Sequence, residues 1–280
     1  MPSACPGQTM HTVAALENAA QRQTNWAEHR VWVSGEHGGV QRYASGVLLD
    51  PWNVLVSGHQ VFSSGSFTTA IRIGRGSNHI TDPGDIFAAA DYVIHPAWGG
   101  VTFPLPFFDT VDLAILHMAS PIPGVTPLNI SAAELGQTLV GVGYGRPATP
   151  NGYLEPDGQA RAFNLYYDRA GSISISSDYM LSNFYPPGWS RNDPLEGGAT
   201  PGNSGGGVFN AEGDLVGLTV GAAGSPPGYG YATITLRLDL YQSWIIDNII
   251  VPAPGTASAF AIVGVACLRR RRRAVVSAMS

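Results

Sequence analysis

The chain has 280 residues, of which 12% are charged, and a formal net charge of −5. Five of its 15 basic residues are the consecutive arginines Arg269–Arg273, so the rest of the chain carries −10. An acidic body disfavours nucleic acid as a partner, because binding to phosphates requires a basic surface. The 35 glycines and 21 prolines, with 44% hydrophobic residues, favour an all-β protein with many turns over a helical one.

The first 29 residues are predicted to be a lead-in to the main domain or the remnant of a pro-segment. The stretch "MPSACPGQTMHTVAALENAAQRQ" lacks the basic start and the long apolar run of a secretory signal. Within it, residues 13–22 have the composition of one short amphipathic helix.

Residues 30–250 are predicted to form the main domain, from short β-runs separated by turn signals. The segments "RVWVSG" and "RYASGVLL" flank "EHGGVQ", which predicts a hairpin with Gly38 and Gly39 at its tip. The regular strand spacing without alternating helices indicates a sandwich or barrel and excludes a parallel α/β architecture. From Leu238 onward, apolar residues at helical spacing predict one terminal helix. Periodicity alone does not decide between one barrel and two.

Three polar residues stand at strand ends or turns, where catalytic groups are usually held. His59 follows the apolar "VLVSG", Asp112 opens "DLAIL", and Ser204 lies in the glycine-rich "TPGNSGGGVF". A serine hydroxyl becomes nucleophilic when an imidazole takes its proton, and the imidazole needs a carboxylate to orient it. Asp109 is a rival to Asp112, but it lies in the loop "PFFDTV" rather than directly before an apolar strand. The amides of Gly202 and Ser204 are the predicted donors to an oxyanion.

These segments resemble the trypsin-like, chymotrypsin-fold serine proteases. The matching stretches are "VLVSGHQVF", "DLAIL", "PGNSGGGVF", "GDLVGLTVG" and "YGYATITLRLDLYQSWI", in the family's order. The resemblance covers about residues 30–250. It implies two six-stranded antiparallel β-barrels, about residues 30–125 and 126–250, followed by a C-terminal α-helix.

The resemblance also implies a function and a site. The expected activity is that of a serine endopeptidase working through an acyl-enzyme intermediate, with His59 and Asp112 on the first barrel and Ser204 on the second. Its partners would be protein or peptide substrates. The primary specificity pocket is expected to involve four residues, which are Gly198, Val220, Gly221 and Gly230.

Several residues depart from the family's pattern. Gln60 stands where a cysteine usually follows the histidine, and Asn203 replaces the aspartate that pairs with a newly cut N-terminus in trypsin. Activation through that ion pair is therefore not expected. Gly198 occupies the position of trypsin's specificity aspartate, while the nearby Asp193 and Glu196 leave a pocket for basic side chains as an open alternative.

No metal or organic cofactor is expected. Only two cysteines occur, Cys5 and Cys267, one near each end, so the body has neither a disulfide framework nor a cysteine-based metal site. The histidines lack metal-site spacing, and turn chemistry explains "DPGDI" as well as weak calcium binding does. Two alternative functions remain open, which are a catalytically silent surface binding module on the same fold and an esterase-like serine hydrolase.

Residues 251–280 are predicted to be a separate C-terminal tail. It begins with "VPAPG", continues with an apolar stretch of about residues 256–268 that is shorter than the ~20 residues of an ordinary membrane span, and ends in the arginine run. This order resembles the bacterial PEP-CTERM sorting tails. The resemblance implies export, transient tethering by a transmembrane segment, and removal of the tail by a membrane-bound processing enzyme, leaving the protein at the cell surface or secreted. A plain hydrophobic tail anchor is the alternative.

Overall fold

The computed structural model describes residues 8–100, 110–171, 176–189, 191 and 193–250. The predicted tail and the rival acid Asp109 lie outside the described residues. Among the helices of the described ranges, none is long and apolar enough to cross a membrane.

The N-terminal segment packs against the second half of the main domain. It contains strand β1 (Gln8–Met10), helix α1 (Val13–Arg22) and a 3₁₀ turn (Gln23–Trp26). Thr12 caps α1, its hydroxyl accepting a hydrogen bond from the Ala15 amide at 3.1 Å. Met10 and Leu16 are buried in one cluster with core residues of the second half.

The first half is a closed six-stranded antiparallel barrel. Its elements are strands β2 (Arg30–His37), β3 (Val40–Asp50), β4 (Asn53–Val56), helix α2 (Gly58–Val61), strands β5 (Phe62–Ser63), β6 (Ser66–Phe67), β7 (Thr69–Gly74), β8 (Ile86–Ile94) and β9 (Ala114–Met118). The strand order in the barrel is β2-β3-β4-β9-β8-β7. The predicted hairpin is confirmed, because β2 pairs with β3 around Gly38 and Gly39.

The second half is built on a seven-stranded sheet and a smaller four-stranded sheet. Its strands are β10 (Thr138–Gly143), β11 (Ala148–Thr149), β12 (Gly152–Tyr153), β13 (Arg161–Tyr166), β14 (Arg169–Ala170), β15 (Tyr179–Asn183), β16 (Gly197–Ala199), β17 (Gly207–Phe209), β18 (Leu215–Ala223) and β19 (Ala232–Arg237). The larger sheet has the order β13-β10-β17-β18-β19-β15-β14, and β1 joins the smaller one in the order β12-β11-β1-β16. The fold class is confirmed, with the second half forming an open half-barrel rather than a closed ring of six strands.

The alternation of side chains along the strands explains why the two halves share a core. On β4, Val54 and Val56 fill the interior of the first barrel, whereas Leu55 joins a cluster that also contains residues of the second half. On β9, Leu116 lies in the interior of the first barrel, whereas Ile115 joins the cluster shared with the second half. Successive side chains of a strand face opposite sides. Both faces of these strands are therefore buried, and the faces that carry Leu55 and Ile115 lie against the second half.

The predicted terminal helix is confirmed. A 3₁₀ turn (Asp239–Tyr241) leads into helix α3 (Gln242–Asn248), and Ile245 is buried in the shared core. His117 of β9 donates from Nε2 to the carbonyl of Asn248 at 2.9 Å, which ties the end of α3 to the first barrel. His117 therefore has a structural role, because it holds α3 against β9.

Candidate active site

His59 and Asp112 are joined by two hydrogen bonds. His59 lies on α2, directly after β4, and its amide donates to Asp112 Oδ1 at 2.8 Å. Its ring Nδ1 lies 2.7 Å from Asp112 Oδ2. The Asp112 side chain is completely buried, whereas that of His59 is 18% exposed. Since an ionised carboxylate only accepts hydrogen bonds, Nδ1 carries the proton and Nε2 of the neutral ring carries the lone pair.

Two aromatic residues enclose this pair. The Trp98 indole donates to the carbonyl of Phe62 at 2.8 Å, and its ring centroid lies 6.4 Å from that of His59. Tyr179 donates to the carbonyl of Thr110 at 2.8 Å, two residues before Asp112. Burial raises the pKa of Tyr179, and the charge of Asp112 adds to this effect. Tyr179 therefore remains a neutral donor that anchors the segment leading into Asp112.

Ser204 is held by backbone hydrogen bonds from both halves of the domain. Its carbonyl accepts from the Ser45 amide of β3 at 3.0 Å. The next residue, Gly205, donates to the carbonyl of Thr219 at 2.7 Å, and Thr219 donates back to Gly206 at 2.8 Å. The serine loop is thus fixed between β3 and β18.

The glycines that follow Ser204 are required by close packing. A Cβ on Gly205 would lie 2.2 Å from the carbonyl oxygen of Ser45, and Gly205 also has a φ of +80°. A Cβ on Gly206 would lie 2.4 Å from the carbonyl oxygen of Val142. Both distances are far inside van der Waals contact, so no other residue fits without movement of the backbone.

Asn203 stabilises the same loop without a charge. It is 1% exposed, its side-chain oxygen accepts from the Thr200 amide at 3.2 Å, and its own amide donates to the Thr200 carbonyl at 3.2 Å. A neutral amide buried in this way needs no cationic partner. The loop therefore closes on itself through Thr200.

The amides of Gly202 and Ser204 remain available to a ligand. Gly202 has a φ of +99°, in the left-handed region that glycine adopts readily. Among the described residues, neither amide donates to a protein acceptor. Both residues border the same cavity as His59.

This cavity has a volume of about 570 Å³ and runs between the two halves of the domain. Its lining is mainly apolar, and among the described residues it includes no carboxylate. One wall comes from β2, β3 and α2, and carries Arg42, Tyr43 and Gln60. The other wall consists of Ala199, Thr200, Pro201, Gly202, Ser204, Thr219, Gly221, Ala222 and Pro226.

The four residues predicted for the specificity pocket lie in different surroundings. Gly221 borders the cavity, whereas Val220 is buried in the shared core and Gly230 is exposed. Gly198 lies on β16, where a Cβ would stand 2.2 Å from the Tyr231 hydroxyl. Burial raises the pKa of Tyr231, so this ring stays neutral. Tyr231 therefore occupies the space that any side chain at position 198 would need.

Asp193 and Glu196 lie away from the main cavity. Asp193 accepts hydrogen bonds from Asn164 and Tyr166, which hold its pKa below the usual value although burial would raise it. Glu196 is 2% exposed and lies 3.9 Å from both Arg191 and His11; burial raises its pKa. Neither carboxylate borders the cavity that contains Ser204.

Sequence reasoning missed four residues that contact the catalytic candidates or the segments holding them, which are Ser45, Trp98, Tyr179 and Thr219. Nothing in "ASGVLL" distinguishes Ser45 from an ordinary core residue, and nothing in "HPAWGG" distinguishes Trp98. Within the ranges that the structure covers, no group of three His, Cys, Asp or Glu side chains is arranged to hold a metal ion.

Comparisons with known proteins agree with this architecture. The family model described as Trypsin matches residues 17–245. The structure of a scabies mite inactivated protease paralogue, S-I1, is similar with a TM-score of 0.56 and 22% identity, covering 80% of this chain and 94% of that one. A structure of GrC is similar with a TM-score of 0.60 and 15% identity, covering 86% of this chain and 97% of that one. No curated protein matches the sequence.

Proposed function

Because the chain belongs to the trypsin family of serine proteases, we propose that it is a serine endopeptidase with His59, Asp112 and Ser204 as its catalytic residues. The proposal depends above all on one observation, the pair of hydrogen bonds from His59 to Asp112 beside a cavity that Ser204 also borders. The reaction needs no metal or organic cofactor.

The proposed mechanism follows from the protonation of the His59 ring. With its proton on Nδ1 and directed at Asp112, the ring accepts the Ser204 proton at Nε2 while Oγ forms a bond to the substrate carbonyl carbon. The amides of Gly202 and Ser204 donate to the resulting oxyanion. The tetrahedral intermediate collapses, the C–N bond breaks, and His59 gives its proton to the leaving amine.

The acyl-enzyme is then hydrolysed by the same groups. His59 removes a proton from water as the water oxygen bonds to the acyl carbon. The Ser204–carbon bond breaks, the proton returns to Ser204, and the carboxylic acid product leaves. Each step uses one proton on His59, and Asp112 stabilises the imidazolium form each time.

The alternative function is a silent module on the same fold. By its name the scabies mite protein is an inactivated protease paralogue, so the fold by itself does not establish catalysis. The hydrogen-bonded histidine and aspartate favour the enzyme, because a binding module has no need for this pair beside a cavity-lining serine.

A fluorophosphonate probe tests the function directly. Attack by Ser204 on phosphorus displaces fluoride and leaves a stable covalent adduct, so we expect labelling of the wild type and none of Ser204→Ala. The variant Ser63→Ala, which alters another serine of the same cavity, should label normally. If the wild type were not labelled, the chain would instead be the catalytically silent binding module. Profiling of peptide against ester substrates then separates an endopeptidase from an esterase-like hydrolase.

We also propose that the residue before the scissile bond carries no positive charge. The cavity wall next to Ser204 contains Ala199, Thr219 and Ala222, and among the described residues no carboxylate lines the cavity to pair with a buried cation. Burying an unpaired cation is costly, so peptides with Lys or Arg at this position should show a kcat/KM at least about tenfold below that of Ala, Val, Leu or Phe. A peptide-library cleavage profile measures this, and a preference for Lys or Arg would contradict it.

Export is a separate proposal that depends on the tail sequence. We propose that residues 251–280 tether the exported protein to the membrane until a processing enzyme removes them. The full chain and a chain ending at residue 250, both behind one heterologous secretion signal, can be compared by cell fractionation. Equal distribution of the two would contradict the tether.

A further inference from the structure

Ser45 connects the two halves of the domain at the catalytic loop through its backbone amide and its hydroxyl group. It lies in the middle of β3 and is completely buried. Its amide donates to the carbonyl of Ser204, and its carbonyl accepts from the Gln60 side chain at 3.2 Å. Ser45 therefore contacts the nucleophile's own backbone and the residue that follows His59.

The hydroxyl of Ser45 makes two further hydrogen bonds whose directions are determined. It accepts from the Tyr144 amide at 2.9 Å and lies 2.7 Å from the carbonyl oxygen of Gly202. An amide N–H can only donate and a carbonyl oxygen can only accept. The single hydroxyl proton is therefore directed at Gly202.

This contact restrains the residue whose amide is the proposed oxyanion donor. A glycine adopts either sign of φ readily, so its backbone does not by itself hold the value of +99° found at Gly202. The Ser45 hydroxyl fixes the Gly202 carbonyl, and the bonds between Asn203 and Thr200 fix the loop on either side. Rotation of the Gly202 backbone would break the contact with Ser45 and leave the half-buried Gly202 carbonyl without this donor.

Resting on the proposed function, we propose that Ser45 is a positioning residue that holds the Gly202 amide ready for the oxyanion. It touches neither substrate nor reacting atoms, and it acts through the loop. Donors to an oxyanion act because they are oriented before the reaction begins. Loss of this restraint affects the transition state more than the bound substrate.

The test compares Ser45→Ala with wild type and with Ser182→Ala, a buried serine of β15 that does not border the cavity. We expect Ser45→Ala to lower kcat by about 10- to 100-fold, below the 10²–10³ that follows removal of an entire donor, with KM within about twofold. Binding of a peptide boronic acid, whose adduct with Ser204 imitates the tetrahedral intermediate, should weaken by a similar factor. Ser182→Ala should leave all three quantities close to wild type.

The outcomes separate this inference from the proposed function. A wild type that neither reacts with fluorophosphonate nor cleaves peptides overturns the function and the inference together. An active wild type with an equally active Ser45→Ala, or with a loss confined to KM, overturns the role of Ser45 alone. If Ser45→Ala does not fold, Ser45→Cys retains a weak donor of similar size. If Ser45→Cys has a lowered kcat and an unchanged KM, the inference is supported. If its kcat and its affinity for the boronic acid equal those of the wild type, the inference is contradicted.

Discussion

Replacing Ser204 by alanine is expected to lower kcat by roughly 10⁶-fold, the scale found when the nucleophile of a serine protease is removed. The variant retains the proposed oxyanion donors, since these are the backbone amides of residues 202 and 204. It should therefore keep a small residual rate over the uncatalysed reaction, and its KM should change little. Steady-state kinetics on a peptide substrate measure the loss, and thermal unfolding checks that the fold is intact.

The structure predicts that this variant folds normally. The Ser204 backbone keeps its hydrogen bond from Ser45, and the packing of Gly205 and Gly206 does not involve the hydroxyl. Ser63→Ala serves as the matched control, because it removes a hydroxyl from the same cavity. If Ser204→Ala retained more than a few per cent of the wild-type kcat, Ser204 would not be the nucleophile.

Replacing Asp112 by asparagine should lower kcat by about 10⁴-fold. Asp112 receives two N–H donors, from the His59 amide and the His59 ring, each on its own oxygen. Asparagine offers one oxygen and one NH₂ group. When its oxygen serves the backbone amide, the NH₂ group faces Nδ1 and favours the opposite tautomer, with the proton on Nε2. That tautomer cannot take the proton of Ser204.

The control for this prediction is Asp109→Asn, which removes the rival carboxylate three positions earlier. We expect its kcat to stay within about twofold of wild type. The NMR resonance of the proton between Nδ1 and the carboxylate should be present in the wild type and in Asp109→Asn, and absent in Asp112→Asn. The reverse pattern of kcat values would assign the orienting role to Asp109.

Much of the fold was predictable because strand alternation, turn residues and apolar spacing are local signals. The hairpin at Gly38 and Gly39 is specified by residues within a few positions of each other, and the terminal helix by one apolar face. The N-terminal segment shows the limit of such signals. Three residues of β1 carry no periodicity, and their structure arises from pairing with β11 and β16 more than 100 positions away.

By itself, the sequence determined the all-β class, the family resemblance, and His59, Asp112 and Ser204 as candidates, since each lies in a short motif with its own chemistry. Only the tertiary structure decided which groups support them. The contact from Ser45 to Gly202 spans 157 positions and that from Tyr179 to Thr110 spans 69. A hydrogen bond depends on distance and direction in space, so a buried serine in an apolar strand looks the same in sequence whether or not it holds a catalytic loop. Packing of the two halves against each other brings these groups within bonding distance.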